Sequence, residues 1–388
     1  MTEFFHYEDM IWPEVAALPR DTPLVIPMGD GYSQAELAGA LGNSQRAGLL
    51  PAFPYGWEGS GLRVGESILC GYITNLLDSL REDGFNCSYV LTPQGIDPGL
   101  GAQRIVLSAG GSSISTMPPD SERGKVVIIP VGHTEQHAFH LPLSTDTLII
   151  DAIARGTAAA APDQAFSLPV MPYGVSMNRR AFAGTLDAGG RVFEDFYLAV
   201  LDVLVGRGFD RFYLISGHGG NSSFLVNVVK YAGERHRRAF IATAWLYLSG
   251  KDGVAALEKH RRSSTGGMGH ACELETSIIL HLHPELVRMN KVVDETDFVA
   301  TPNYYMDWVE GGALIANPPW DDDTKTGAYG AGSLATAEHG RLWLEVAIAE
   351  KAAHVAEIHE QQRRREKRRQ AGYGLWGEGK GVGNYPSG

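Results

Sequence analysis

The feature that most constrains this chain is an alternation of short β-branched runs with longer amphipathic stretches through its middle. "KVVIIPVG" (125–132) is a brief Val/Ile run closed by glycine, the pattern of a strand buried on both faces. "DTLIIDAIARGTAAAA" (146–161) follows with helical spacing, and "FSLPVMPYG" (166–174) reads as a second strand. "RVFEDFYLAVLDVLVGRGF" (191–209) reads as a helix with a glycine stop. "RFYLISGHGGN" (211–221) is a third strand entering a glycine turn, and "SSFLVNVVKYAGERH" (222–236) a helix behind a serine cap. Strands alternating with helices predict an α/β fold with a mainly parallel sheet and right-handed crossovers. Ligands of such sheets bind at the carboxyl ends of the strands, where two histidine-bearing segments fall here.

The first third reads as a worn half-copy of the same α/β unit. "LVIPMGD" (24–30) matches "VIIPVGH" (127–133), "LLPAFPYGW" (49–57) matches "SLPVMPYGV" (167–175), and "GFNCSYVLTPQG" (84–95) matches "GFDRFYLISGHG" (208–219). Three matches in one order indicate an internal duplication. The expected organisation is a degenerate lobe over 1–120, a catalytic domain over 121–362 and a tail over 363–388. In that tail "RRREKRRQ" reads as a solvated helix end and the Gly-rich segment beyond it as a flexible tail; an arm that docks on a neighbouring subunit through Tyr373 and Trp376 is the alternative.

Bulk properties remove other classes. A net charge of −12 argues against nucleic-acid binding. Three cysteines without knuckle spacing argue against a disulfide framework and fit a reducing, cytoplasmic setting. The acidic "MTEFFHYEDMIWPEV" is no secretory signal, and no apolar run is long enough to span a membrane.

The chemistry-bearing residues fall in three clusters. In "VGHTEQHAFHLPLSTDT" (131–147), Glu135 and His137 are two apart and can face one centre, and Asp146 returns after an excursion. Mixed imidazole and carboxylate donors suit Zn²⁺ or Mn²⁺ better than Ca²⁺ or Mg²⁺; a polar loop leaving a buried strand is the bland alternative. His218 in "SGHGGN" sits among glycines that permit close backbone approach. In "GGMGHACELETSIILHLHPELV" (266–287), His270 precedes Glu273 and Glu275. Glu273 reads as an exposed first-turn acid, whereas Glu275 abuts the apolar run, where an unpaired carboxylate is costly. In the worn copy the positions matching Glu135, His137, Asp146 and His218 are Tyr32, Gln34, Asn43 and Gln94.

Together "PVGHTEQHAFHLPLSTDT", "SGHGGN" and "HACELETS" resemble the creatininase family of metal-dependent amidohydrolases, over roughly residues 125–290. The resemblance implies a three-layer α/β fold and two divalent ions per subunit, Zn or Mn with Fe as an option. It implies that Glu135 and His218 bind one ion, His137 the other, and that Asp146 bridges them. The family's further carboxylate, two residues after the histidine matching His218, is here Gly220; Glu275 is the expected substitute and Glu273 the competitor. His270 matches the catalytic histidine. The chain departs from the family at Ala138-Phe139, at His133, for which the pattern gives no role, and at Ser216. Gly219 and Gly266 stand where creatininase carries substrate-flanking aromatics, which argues against creatinine.

The implied activity is hydrolysis of a C–N bond in a small, cyclic, amide-like substrate. Relatives that act on a cyclic ketone or a formamide supply the alternative, and a non-catalytic metal-binding scaffold is the reading of another class. Tyr173 and Arg179 are the expected substrate contacts. The expected partners are a small-molecule substrate and further copies of the chain in a homo-oligomer, with no nucleic acid and no membrane.

Overall fold

The computed structural model describes residues 2–108, 116–176, 181–308 and 311–373. The strands are β1 (Glu3–His6), β2 (Leu24–Pro27), β3 (Arg46–Leu49), β4 (Ser88–Pro93), β5 (Arg104–Leu107), β6 (Val126–Val131), β7 (Ala165–Ser167), β8 (Arg211–Ser216), β9 (Phe240–Thr243), β10 (Met268–His270) and β11 (Tyr329–Gly330). The α-helices are α1 (Trp12–Ala16), α2 (Gln34–Ala40), α3 (Glu66–Glu82), α4 (Thr145–Ala160), α5 (Gly190–Gly206), α6 (Ser222–Arg235), α7 (Lys251–His260), α8 (Glu273–Leu282) and α9 (Ala337–Gln370).

Two parallel sheets form the frame, in the orders β1-β3-β2-β4-β5 and β7-β6-β8-β9, beside a small antiparallel β10–β11 pair. Alternation along β6 explains its uninterrupted apolar sequence. Val127, Ile129 and Val131 enter one core with α3 and α5, while Val126 and Ile128 enter another with α4, α8 and α9. A strand with helices on both faces has no polar side to show.

The first sheet shares part of its strand order with the second. Its order β3-β2-β4-β5 parallels β7-β6-β8-β9. The isolated bridges correspond as well: Met28–Phe53 to Val131–Met171, and Gly56–Arg63 to Gly174–Asp187. One hydrophobic cluster nevertheless joins the two lobes, with Phe53, Tyr55 and Tyr72 packed on Phe196 at centroid separations of 5.9, 6.0 and 5.0 Å. The lobes share a core across the expected boundary at 120.

Two local expectations change. The second strand is confined to Ala165–Ser167, followed by one bridge at Met171, because Pro169 and Pro172 have no N–H to extend the ladder. The final helix runs to Gln370 and takes in the basic segment. There Arg363 and Arg364 pair with Glu360 one turn back, so the positive residues form a solvated helix face. Trp376 lies outside the described residues. Among the described residues no helix is long and apolar enough to cross a membrane.

Candidate metal centre

The centre lies where β6 and β8 end, and hydrogen bonds between segments distant in sequence build it. Beyond Val131 the chain turns through residues 132–144 before α4 begins. Thr134 Oγ1 donates to the Pro172 carbonyl, and Glu135 N–H donates to the Leu143 carbonyl. The first lobe braces the same loop, since Leu143 and Ser144 donate to the carbonyls of Met10 and Glu8. Asn221 ties the strand ends together: its amide nitrogen reaches the Gly132 carbonyl at 3.1 Å and its oxygen accepts from Val175 N–H. Gly217 is a required close approach, because a Cβ there would stand 2.2 Å from the Asp146 carbonyl oxygen. Ala138 and Ala271, which directly follow His137 and His270, hold φ of +55° and +47°. Left-handed backbone at a non-glycine residue costs roughly 1–2 kcal/mol, and here it turns two histidines into one space.

Glu135, His137, Asp146, His218, His270 and Glu275 converge, and none is more than 3% exposed. His218 Nδ1 lies 3.1 Å from Glu135 Oε1 and 3.3 Å from Asp146 Oδ2. His137 Nε2 lies 3.3 Å from Asp146 Oδ1, 3.9 Å from Glu135 Oε1 and 4.0 Å from Glu275 Oε1. His270 Nδ1 lies 3.7 Å from Glu135 Oε1.

Each ring's outer nitrogen fixes its tautomer, since a carbonyl oxygen only accepts. His218 Nε2 faces the Val175 carbonyl at 3.0 Å, His137 Nδ1 the Glu135 carbonyl at 3.1 Å, and His270 Nε2 the Gln136 carbonyl at 2.7 Å. Those outer nitrogens carry the hydrogen, so in the neutral rings the inner nitrogens turn lone pairs toward carboxylate oxygens. Lone pair against lone pair in a dry site is repulsive unless a proton or a cation lies between them. Burial lowers the pKa of His137 and His218, but the carboxylates outweigh it. Asp146 acts first on His137, and Glu135 first on His218, which is pushed up to about 9. The same imidazoles hold the Asp146 carboxyl well below its ordinary range against its burial. Among the described residues, three overlapping groups could hold a cation: His133–Glu135–His218, Glu135–His137–His270 and His137–Asp146–Glu275.

The remaining expected residues lie elsewhere. Glu273 is neither the exposed acid nor the competing ligand: it is fully buried and accepts from the N–H groups of Arg262 and Ser263. Tyr173 is corrected as a substrate contact. It is fully buried in the interlobe core, 5.9 Å from Phe53 by ring centroids, with its phenol donated to the Pro51 carbonyl. Arg179 lies outside the described residues. What the sequence reading missed is the rim. Trp245, Leu246, Met268, Met306 and Trp308 join Asp146, His218, His270 and Glu275 around a cavity of about 60 Å³. These apolar residues stand in loops or a short strand without periodic pattern, so only spatial proximity marks them.

A buried set of imidazoles and carboxylates at the carboxyl ends of parallel strands defines an α/β metal-dependent hydrolase. The creatininase family model, described as creatinine amidohydrolase, matches residues 115–355. The chain belongs to the creatininase family. It is 33% identical over 199 residues to the mycofactocin precursor peptide peptidase of Mycobacterium ulcerans, covering 48% of this chain and 69% of that protein. It is 26% identical over 243 residues to the creatinine amidohydrolase of Pseudomonas putida, covering 58% and 85%. A solved manganese creatininase superposes with a TM-score of 0.51 at 25% identity, over 61% of this chain and 92% of that one.

Proposed function

We propose that this chain is a hydrolase of an amide-like C–N bond whose centre holds two divalent ions, Zn²⁺ or Mn²⁺. The supporting observation is that three imidazole nitrogens face the carboxylate oxygens of Glu135, Asp146 and Glu275 at 3.1–4.0 Å in a buried site. Glu135 and His218 would hold one ion and His137 and Glu275 the other, with Asp146, which faces both His137 and His218, available to each. When bound, such ions supply Lewis acidity and make a water acidic enough to ionise near neutral pH. His270, fixed by the Gln136 carbonyl at Nε2, turns Nδ1 toward Glu135 in the centre, where it would carry a proton to the departing nitrogen. Trp245, Trp308 and Met306 exclude water and grip an apolar part of the substrate.

The cavity of about 60 Å³ suits a small acyl group, which fits a cyclic amide. The peptidase relative favours a second reading, in which a peptide presents its terminal amide bond to the same space. The test loads the chain with Zn²⁺ or Mn²⁺ and follows lactams, imides and short peptides by mass spectrometry. Turnover of one class selects the substrate. A chain that takes up no metal, or that takes up metal and turns over none of these, overturns the proposal.

A further inference from the structure

A fourth histidine stands at the centre with the opposite polarity. His133 is fully buried, and its ring lies 4.5 Å from that of His218 by centroids. Its Nδ1 accepts the N–H of Gly174 at 2.9 Å. An N–H can only donate, so Nδ1 carries the lone pair and the hydrogen of the neutral ring must sit on Nε2. That Nε2 faces Glu135 Oε2 at 3.7 Å. The three other histidines turn to the opposite oxygen: His218 Nδ1, His270 Nδ1 and His137 Nε2 all lie within 3.9 Å of Glu135 Oε1.

We propose that His133 is a positioning residue that points its Nε2–H at Oε2 of Glu135 and so commits Glu135 to bind cation through Oε1 alone. The backbone makes the arrangement rigid. The His133 carbonyl accepts from Thr147 Oγ1 at 3.0 Å, and the Gly174 that fixes the ring is itself pinned against Asn221. The grouping of His133 with Glu135 and His218 therefore misleads as a ligand set, because a ring nitrogen that carries hydrogen has no lone pair to give a metal. The 3.7 Å between Nε2 and Oε2 is longer than a hydrogen bond, so the proposed role requires it to close when the carboxylate engages a cation. This inference rests on the metal-centre reading above.

The experiment uses the full chain with Zn²⁺ as the probe, titrated calorimetrically into metal-free protein. In His133→Ala and His133→Asn, Zn²⁺ affinity is expected to fall about 10- to 100-fold, the usual effect of losing an outer hydrogen bond to a ligand. His133→Gln, which can return an amide N–H to the position of Nε2, is expected to stay within a few-fold of the parent. A merely structural ring would reverse that order, since Asn keeps the acceptor for Gly174 and Gln does not. A crystal structure of the Zn²⁺-loaded parent provides a test independent of variant folding. A His133 Nε2 to Glu135 Oε2 separation near 2.7–3.2 Å supports the proposal. A Zn–Nε2 bond of about 2.0–2.1 Å, or an Nε2 to Oε2 separation still beyond about 3.5 Å, overturns it. Absence of Zn²⁺ uptake by the parent would overturn the metal-centre reading itself, whereas a parent that binds and Ala, Asn and Gln variants that bind equally would overturn only the role of His133.

Discussion

Asp146 Oδ1 lies 3.3 Å from His137 Nε2, joining the first turn of α4 to the loop that leaves β6. The other Asp146 oxygen lies the same distance from His218 Nδ1 at the end of β8. One carboxylate thus faces both halves of the centre. Asp146→Ala is expected to abolish binding of both ions, while Gln94→Ala at the matching position of the first lobe leaves metal content unchanged. Elemental analysis of the two purified variants checks this.

His270 is expected to matter for turnover more than for metal. His270→Gln should lower kcat by about 10²- to 10⁴-fold, the range for a lost general acid–base group, with metal content near that of the parent. Kinetics on any substrate found, paired with elemental analysis, separates the two effects. Loss of metal in step with activity would assign His270 to the ligand set instead.

Gly217 carries a steric requirement. Gly217→Ala puts a methyl 2.2 Å from the Asp146 carbonyl oxygen and 3.1 Å from Ile150 Cβ, so the start of α4 has to move. The expected result is a folded protein by circular dichroism with reduced metal occupancy.

Glu8 supplies a pH-dependent stability term away from the centre. Burial raises its pKa from the ordinary 4.5 to about 7. The native state therefore holds the proton more tightly than the unfolded chain. Its contribution is full below about pH 4.5 and is lost as pH rises through about 7. Glu8→Gln should flatten that part of the profile and raise Tm above pH 7, as read by calorimetry at a series of pH values.

Phe196 tests whether the lobes are one unit. Its ring packs on Phe53, Tyr55 and Tyr72 from the first lobe, and it is fully buried. Phe196→Ala is expected to cost about 3–5 kcal/mol. Denaturant unfolding should remain a single transition, because the shared core fails as a whole. Two separated transitions would show lobes that fold independently.

The strands β6 and β8 and the helices α4, α5 and α6 were legible from their apolar periodicity, because burial on two faces or along one stripe leaves a local pattern in the residues themselves. The six residues that converge at the centre were legible as motif members, each placed at or beyond a strand end or in the first turn of a helix. Adjacency to the apolar run favoured Glu275 over Glu273 in the sequence, but it did not show that Glu273 is buried. Both begin α8, and only the fold sends one to the backbone N–H groups of Arg262 and Ser263 and the other toward His137. Tyr173 sits in a conspicuous loop, yet the first lobe closes over it. The rim tryptophans Trp245 and Trp308 and the role of His133 depend on contacts between segments distant in sequence, for which no local pattern exists. The sequence alone determined the chemistry available to this protein; the tertiary structure decided which nitrogen of each histidine faces the carboxylates, because that choice is made by a carbonyl or an amide contributed by another part of the chain or turn.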